Sequence, residues 1–295
     1  MDLYKKNNFK PMLLSEKYNV FNDKNYIYEI KFDGIRALIF LNNNEIIIKS
    51  RNGLILNKLF PELLNIKNIT KNKCIFDGEI VLMDNGIPSF SKLQERIRLK
   101  NEAKINYYKK NNPVSFVCFD ILYENNNLID LELLKRKKIL NKYKDTDMFI
   151  KSRSYKDGIK LFKLVKENNL EGIVAKLKNS KYIPDIRTKE WIKIKNIKSD
   201  NFYICGYKEK ELVVSLLIGE KINNKLNFVS KVIIGKKNKD FDLIKKCKKT
   251  NNKFINFYEN DYIFIESIYK CNINYIERTK NNHLRHPVYN GIIIE

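Results

Sequence analysis

Apolar residues occur along the chain in short runs bordered by polar turn residues, a pattern typical of β-strands. In the first half of the chain the runs predict strands at 26–31, 37–41, 45–49, 74–81 and 114–123. Asp33-Gly34 and the turn 42–44 separate the first three of these strands, which favours antiparallel hairpins. The pattern therefore predicts a first domain built mainly from antiparallel sheets.

Helical spacing of apolar residues is confined to a few segments of the same region. It predicts helices at 89–96, where Ser89 is a possible cap, and at 131–143 and 157–169, with a strand at 148–152. Further strands are predicted at 171–176 and 191–195. Residues 1–25 are interpreted as an arm. The helices at 131–143 and 157–169 show no chemistry of their own.

The pattern changes after about residue 200. Short strands with basic turns are predicted at 202–207, 212–219, 226–234 and 262–268. Several strands in fewer than a hundred residues suit a small OB-type barrel, with a generic basic β domain as the alternative. The length of 295 residues suits two domains, which we place at 1–198 and 199–295.

Composition indicates a class of partner. The formal charge of +23 suits binding to the phosphates of a nucleic acid, although a bias toward Lys, Asn and Ile codons would also produce it. The five cysteines are scattered without a C-x-x-C pair, so free thiols are expected rather than a zinc site. No apolar stretch is long enough for a membrane span and no signal peptide is present, so we expect a cytoplasmic protein.

Lys31 is the first residue that suggests chemistry. It lies at a predicted strand end beside Asp33-Gly34, and a lysine amine becomes a nucleophile only when burial or cationic neighbours lower its pKa. Arg36, Lys193 and Lys195 could provide such neighbours. The alternative is an ordinary hairpin with a solvated lysine.

Carboxylates and further lysines occur within the apolar strands. Glu79 lies in the strand 74–81, where a carboxylate is costly unless it is paired or binds metal. Glu171 begins a short strand, and its oxygens suit Mg²⁺. Alternation places Lys193 and Lys195 on one face of the strand 191–195, which suits an anion.

Six motifs occur in a fixed order: K-x-D-G-x-R at 31–36, S-R-x-G at 50–53, D-G-E at 77–79, F-D-I-L-Y at 119–123, E-G-x-V-x-K at 171–176 and W-I-K-I-K at 191–195. In this order they resemble the covalent nucleotidyltransferases, and most closely the ATP-dependent DNA ligases, in particular the ligase part of bacterial end-joining enzymes. The resemblance covers residues 10–292. It implies an α+β fold, with a nucleotidyltransferase (adenylation) domain of antiparallel sheets and flanking helices followed by a small all-β OB-fold domain.

The resemblance implies a role for each motif. Lys31 would form lysyl-AMP, Lys193 and Lys195 would contact the α-phosphate, and Phe119 would stack on the adenine. Glu29 would recognise the adenine amino group. Arg36 would contact the ribose or the nicked strand, and Arg51 would contact nearby phosphates. Glu79 would contact the ribose or a metal ion, and Glu171 would bind a metal ion. Asp185 stands where the family has a glycine, which leaves the geometry of that turn open.

The resemblance also implies substrates and partners. They are ATP, Mg²⁺ or Mn²⁺, and nicked double-stranded DNA, with a possible end-binding or repair-polymerase partner, no membrane and a monomeric state. An RNA ligase or a capping guanylyltransferase is the alternative with the same lysine chemistry, and a DNA-binding protein without catalysis is the alternative from another class. An NAD-dependent ligase is disfavoured because no four-cysteine zinc site is present.

The end of the chain departs from the family pattern. Those ligases continue with G-L-R-x-D-K after L-R-H-P, whereas this chain has isoleucine at 292–294. Because that motif orients the pyrophosphate, adenylation is expected to be slow relative to sealing unless other residues substitute. Arg278, Arg285 and the lysines near Lys236 are the candidates.

Overall fold

A computed structural model describes residues 2–5, 8–43, 45–279 and 281–293. These residues cluster in two compact units, Met1–Asn196 and Ile197–Glu295. Asn44, in a predicted turn, and Ile294, in the altered C-terminal motif, lie outside the described residues.

The first unit contains both helices and strands. Its strands are β1 Leu13–Glu16, β2 Tyr26–Lys31, β3 Ile35–Asn42, β4 Glu45–Ser50, β5 Cys74–Asp84, β6 Ile87–Pro88, β7 Val114–Glu124, β8 Asn126–Asn127, β9 Phe149–Lys151, β10 Gly172–Leu177 and β11 Arg187–Lys195. Its helices are α1 Phe90–Ile97, α2 Glu102–Asn111, α3 Leu133–Leu140 and α4 Gly158–Glu167, and Pro61–Ile69 forms a 3₁₀ helix.

These strands form two main sheets. One has the order β1-β11-β10-β2, in which β10 is antiparallel to both neighbours and β1 is parallel to β11. The other has the order β4-β3-β5-β7-β8 and is antiparallel through β7, with β9 added parallel to β7. Strand β3 is buried on both faces: Ala37 and Ile39 pack toward the 3₁₀ helix, and Leu38 and Phe40 toward Met12. Burial on both faces explains its continuous apolar run.

Several local predictions differ from the structure. The N-terminal arm contains a strand, because Leu13–Glu16 pairs with β11, which is distant in sequence. The Ser89 side chain makes no cap hydrogen bond to α1, although its backbone has the extended conformation of a cap. Helix α2 was not predicted, since its sequence has little amphipathic character.

The second unit is mainly β-structure. Its strands are β12 Lys198–Glu209, β13 Val213–Ile222, β14 Lys225–Gly235, β15 Ile263–Phe264, β16 Lys270–Tyr275, β17 Glu277–Arg278, β18 Leu284–Arg285 and β19 Val288–Ile293, with helix α5 at Lys239–Lys245. The main sheet has the order β14-β13-β12-β16-β19. The predicted strand at 262–268 is reduced to Ile263–Phe264, and β16 and β19 were not predicted.

Asparagine occupies many of the tight turns. Asn43, Asn85, Asn125, Asn169 and Asn223 have positive φ angles between 49° and 55°. This left-handed conformation is tolerated by glycine and, among other residues, mainly by asparagine and aspartate. The turns are therefore compatible with their sequences although the chain contains only 10 glycines.

Each of the five cysteines is buried and free, as predicted. Within the described ranges, no helix combines the length and the apolar character that crossing a membrane requires.

Candidate active site

One face of the β1-β11-β10-β2 sheet carries the polar side chains. On one side of β10, Gly172 is paired with Lys31 and Val174 with Glu29. On the other side of β10, Gly172 is paired with Lys195 and Val174 with Lys193. Directly paired residues project from the same face of a sheet. The opposite face is covered by α4. The alternation predicted for Lys193 and Lys195 is therefore present.

Lys31 lies at the end of β2, where two carboxylates approach it. Its Nζ donates a hydrogen bond of 2.7 Å to Oε2 of Glu171. The next turn passes close to β5, because a Cβ atom on Gly34 would lie 2.2 Å from the carbonyl oxygen of Ile80. Only glycine fits there, and this close approach brings Lys31 beside Glu79 of β5.

Glu79 and Arg36 come from the second sheet, where they form a cross-strand pair. Burial raises the pKa of the Glu79 carboxyl to about 8, with Lys31 and Arg36 opposing the rise and Glu171 adding to it. Arg36 holds Asp77 through Nε and Nη2, at 3.1 and 2.8 Å. Burial alone would lower the pKa of Arg36, but the charge of Asp77 raises it.

Lys193 and Lys195 share one counter-charge. Glu16, in β1, lies 3.1 Å from Nζ of Lys193 and 2.9 Å from Nζ of Lys195. Partial burial would raise the pKa of Glu16, but these two lysines lower it. Sequence reasoning missed Glu16, because its position depends on the unpredicted parallel pairing of β1.

Two adjoining cavities open between the sheets. The smaller, of about 60 Å³, is lined by Glu29, Lys31, Phe119, Lys176 and Trp191, among others. The wider cleft, of about 450 Å³, falls within the range of about 300–1,000 Å³ typical of ligand sites. Lys31, Arg36 and Glu79 line both, and Arg51 and Lys193 line only the wider one. Residues predicted from separate motifs are thus brought together.

The aromatic side chains of the smaller cavity lie beside a lysine. The rings of Phe119 and Trp191 are edge-to-face, 6.2 Å apart. Nζ of Lys176 lies 4.4 Å from the Phe119 centroid and 4.1 Å from that of Trp191. Sequence reasoning gave Lys176 no role, although the last position of E-G-x-V-x-K marks it.

Glu29 is buried and lies in a network of cations. Lys176 Nζ is 2.9 Å from its Oε2, and Lys137 is paired with its Oε1. The Ser154 hydroxyl also donates to Oε1, at 3.1 Å. Burial would raise the pKa of Glu29, but the two lysines lower it. The carboxylate is therefore held in its ionised form.

In the turn before β11, Asp185 stands where the family pattern has a glycine. Asp185 has a φ of 64°, in the left-handed region that aspartate tolerates. Its Oδ2 accepts a hydrogen bond of 3.2 Å from the backbone N–H of Lys10. The turn leads to Arg187, which lines the wider cleft and donates to the carbonyl of Leu14.

The two carboxylates beside Lys31 fit a magnesium ion. Among the described residues, no group of three or more His, Cys, Asp or Glu side chains is arranged to hold a metal. Mg²⁺ does not require such a group, since it keeps several waters and is usually bound by one or two carboxylates together with substrate phosphates. Burial raises the pKa of the Glu79 carboxyl, and a cation bound beside it would offset the cost of its ionisation. Glu79 and Glu171 therefore have the chemistry that such an ion needs.

The basic residues considered as substitutes at the C-terminal end are engaged within the second unit. Arg278 Nη1 lies 2.8 Å from Glu220, Arg285 is 3.0 Å from Glu277 and Lys236 is 3.1 Å from Glu209. Ile293 is paired with Lys270 at the end of β19.

Known structures define the class of this fold. The mycobacterial DNA ligase D complexed with ATP and MES matches with a TM-score of 0.59 and 22% identity, over 97% of this chain and 95% of that one. A Lig E DNA ligase matches with a TM-score of 0.65 and 15% identity, over 96% of this chain and 99% of that one. The fold is that of the ATP-dependent ligases, with a nucleotidyltransferase domain followed by an OB-fold domain. The predicted fold class is confirmed.

Sequence comparison identifies the family. Residues 11–195 match the ATP dependent DNA ligase domain family. The SPbeta prophage-derived DNA ligase-like protein LigB of Bacillus subtilis (strain 168) is 30% identical over 95% of this chain and 97% of its own length. The chain therefore belongs to the ATP-dependent DNA ligase family, and its predicted family and enzyme class are confirmed.

The similarity to end-joining enzymes is limited to a part of them. The multifunctional non-homologous end joining protein LigD of Mycolicibacterium smegmatis (strain ATCC 700084 / mc(2)155) is 27% identical over 96% of this chain. The aligned part is 38% of LigD, so this chain spans well under half of that relative.

Proposed function

We propose that this chain seals nicks in double-stranded DNA through a lysyl-AMP intermediate formed on Lys31. The observation that carries the proposal is the position of Lys31 at a strand end, in a cleft that also contains Glu79, Arg36 and Lys193. We assign the nucleotidyltransferase domain to residues 1–198, the OB-fold domain to 199–295, and the protein to the cytoplasm.

The proposed reaction begins with the amine of Lys31. The ammonium of Lys31 donates a hydrogen bond to Oε2 of Glu171, and it must lose a proton to solvent before it can attack the α-phosphate of ATP. The attack forms the N–P bond and releases pyrophosphate. Negative charge that develops on the phosphoryl oxygens is offset by Lys193 and Lys195.

The remaining site residues bind and orient the nucleotide. Phe119 supplies an aromatic face for the adenine, and Oε2 of Glu29, which faces Lys176, accepts from its amino group. Arg36 contacts the ribose or the nicked strand, and Arg51, at the wider cleft, contacts phosphate. Mg²⁺ or Mn²⁺ held by Glu79 and Glu171 would supply further positive charge at the phosphates.

The proposed second substrate is nicked duplex DNA. AMP passes from Lys31 to the 5′-phosphate at the nick, and the 3′-hydroxyl then displaces it. We propose a monomer that acts in DNA repair, with an end-binding protein or a repair polymerase as a possible partner. The similarity to LigD proteins supports this context.

The direct test of this function uses α-labelled ATP followed by sealing assays. The protein should form a covalent adduct that pyrophosphate reverses, and the adduct should be consumed by nicked DNA. A matched nicked RNA substrate distinguishes the alternative, because preferential sealing of RNA would identify an RNA ligase. If no adduct forms, the remaining interpretation is a DNA-binding protein without catalytic activity.

Binding to nicked DNA should weaken steeply with salt. The chain carries a net charge of +23, and each lysine-phosphate contact releases counterions. For a footprint of about six phosphates, affinity should fall about 10³-fold between 50 and 200 mM salt. Fluorescence anisotropy of a labelled nicked duplex measures this, with the intact duplex as control. A flat dependence would show that the charge reflects composition alone.

Replacing Glu16 by Gln should strengthen ATP binding. Glu16 pairs with Lys193 and Lys195, and it would compete with the α-phosphate for them. Its side chain is about one third exposed, so the gain should be modest, about threefold in Kd by equilibrium titration. Glu167→Gln, on the exposed surface of α4, is the matched control. Weaker binding by Glu16→Gln would show instead that Glu16 orders the two lysines.

A further inference from the structure

Lys137 is a buried lysine for which neither the motifs nor the proposed reaction provides a role. It lies in the second half of α3, with a side chain that is 9% exposed. Burying an ammonium group is costly unless it is paired. Lys137 is paired with Oε1 of Glu29, and its Nζ also donates to the carbonyl of Ser152 at 3.3 Å.

The two oxygens of Glu29 have different surroundings. Oε1 is held by Lys137 and by the hydroxyl of Ser154, at 3.1 Å. Oε2 contacts Lys176, which lines the small cavity together with Glu29. Lys137 is absent from the lining of that cavity. Lys137 therefore contacts Glu29 on the side away from the small cavity. Oε2 is the oxygen on the side where a base would enter.

A single cation would not be sufficient for this arrangement. Lys176 lies against the rings of Phe119 and Trp191, so a base stacking on Phe119 has to displace its ammonium or bind beside it. If Lys176 were the sole partner of Glu29, its displacement would leave a buried carboxylate without a counter-charge, which is strongly unfavourable. Lys137 retains its contact with Oε1 of Glu29 even if the Lys176 ammonium is displaced.

The backbone of Lys137 is also fixed. The preceding residue, Arg136, is fully buried and pairs with Asp120, with Nε to Oδ1 and Nη2 to Oδ2 both 2.9 Å. Arg136 further donates to the carbonyl of Ser180, at 3.2 Å. This anchoring holds the end of α3 against the site, and Lys137 with it.

We propose that Lys137 is a positioning residue for purine selection, which supplies a counter-charge to the buried Glu29 carboxylate and directs its Oε2 toward the 6-amino group of adenine. The inference rests on the proposed function, in which Glu29 accepts from that amino group. A carboxylate accepts hydrogen bonds only, so it favours a purine with a 6-amino donor over one that lacks it.

The test compares ATP with purine riboside triphosphate, which lacks the 6-amino group. The readout is kcat/KM for adduct formation. A hydrogen bond to a charged group predicts a wild-type preference for ATP of about 10-fold or more. Lys137→Met and Lys137→Gln should lose most of this preference by reacting more slowly with ATP, while purine riboside triphosphate reacts within about twofold of wild type. Lys137→Arg, which retains the charge, should keep the preference. Lys138→Met, at an exposed neighbouring position, should behave as wild type.

Two outcomes overturn the inference in different ways. If Lys137→Met slows both triphosphates equally, or leaves the preference intact while Glu29→Gln abolishes it, Lys137 does not act through Glu29. If Glu29→Gln also retains the preference, the proposed role of Glu29 is wrong, and the inference fails with it.

Discussion

Replacing Lys31 by Ala should abolish both the protein-AMP adduct and nick sealing, a loss of at least about 10⁴-fold, because no N–P bond can form without the amine. The measurements are gel analysis after incubation with α-labelled ATP and sealing of a labelled nicked duplex. Lys31 is 21% exposed and contacts Glu171, so the substitution should not unfold the domain.

Two controls distinguish loss of the nucleophile from loss of charge. Lys31→Arg retains a cation beside Glu171 but cannot form the adduct, so it should bind nicked DNA and remain inactive. Lys160→Ala, at an exposed position of α4, should be fully active. An adduct of undiminished yield in Lys31→Ala would mean that another lysine is the nucleophile, and peptide mapping of the adduct would identify it.

Arg136→Met should cause a large loss of stability in the first unit. Arg136 and Asp120 are both fully buried, and removing one partner of such a pair leaves an uncompensated charge at a cost of about 3–5 kcal/mol. Urea unfolding followed by tryptophan fluorescence measures the loss in this unit alone, because Trp191 is the only tryptophan of the chain. Its indole N–H donates to Ser180, which also accepts from Arg136.

Matched variants separate charge from packing at this site. Lys135→Met, at an exposed position of the same helix, should change the free energy of unfolding by less than about 0.5 kcal/mol. Removing both charges, in the double variant Asp120→Asn with Arg136→Met, should recover much of the loss. A loss below about 1 kcal/mol for Arg136→Met alone would show that Asp120 is compensated by other groups.

The features that the sequence predicts well are local. Strand β2 begins and ends where its pattern predicts, and the opposite orientations of Lys193 and Ile194 follow from alternation in a single strand. The motif residues Lys31, Glu79 and Phe119 also meet at the cavities.

The features that the sequence did not predict depend on distant pairing and on burial. Strand β1 has only four residues and exists because it pairs with β11, so Glu16 could not be placed beside Lys193 and Lys195 beforehand. Lys137 lies in a lysine-rich segment that is typical of a solvated helix face. Its burial becomes evident only when α3 packs against the sheets and brings it to Glu29.

The asparagine-rich turns have a consequence for how this sequence can diverge. At positions such as Asn85, Asn125 and Asn169, a residue with positive φ must be glycine or one of the few others that tolerate it. Asparagine keeps the turn type and leaves the unfolded chain less conformational freedom than glycine would. A coding sequence that drifts toward asparagine codons can therefore exchange glycines at such turns without altering strand register. The same drift is not tolerated at Gly34, where the backbone of β5 leaves no room for any side chain.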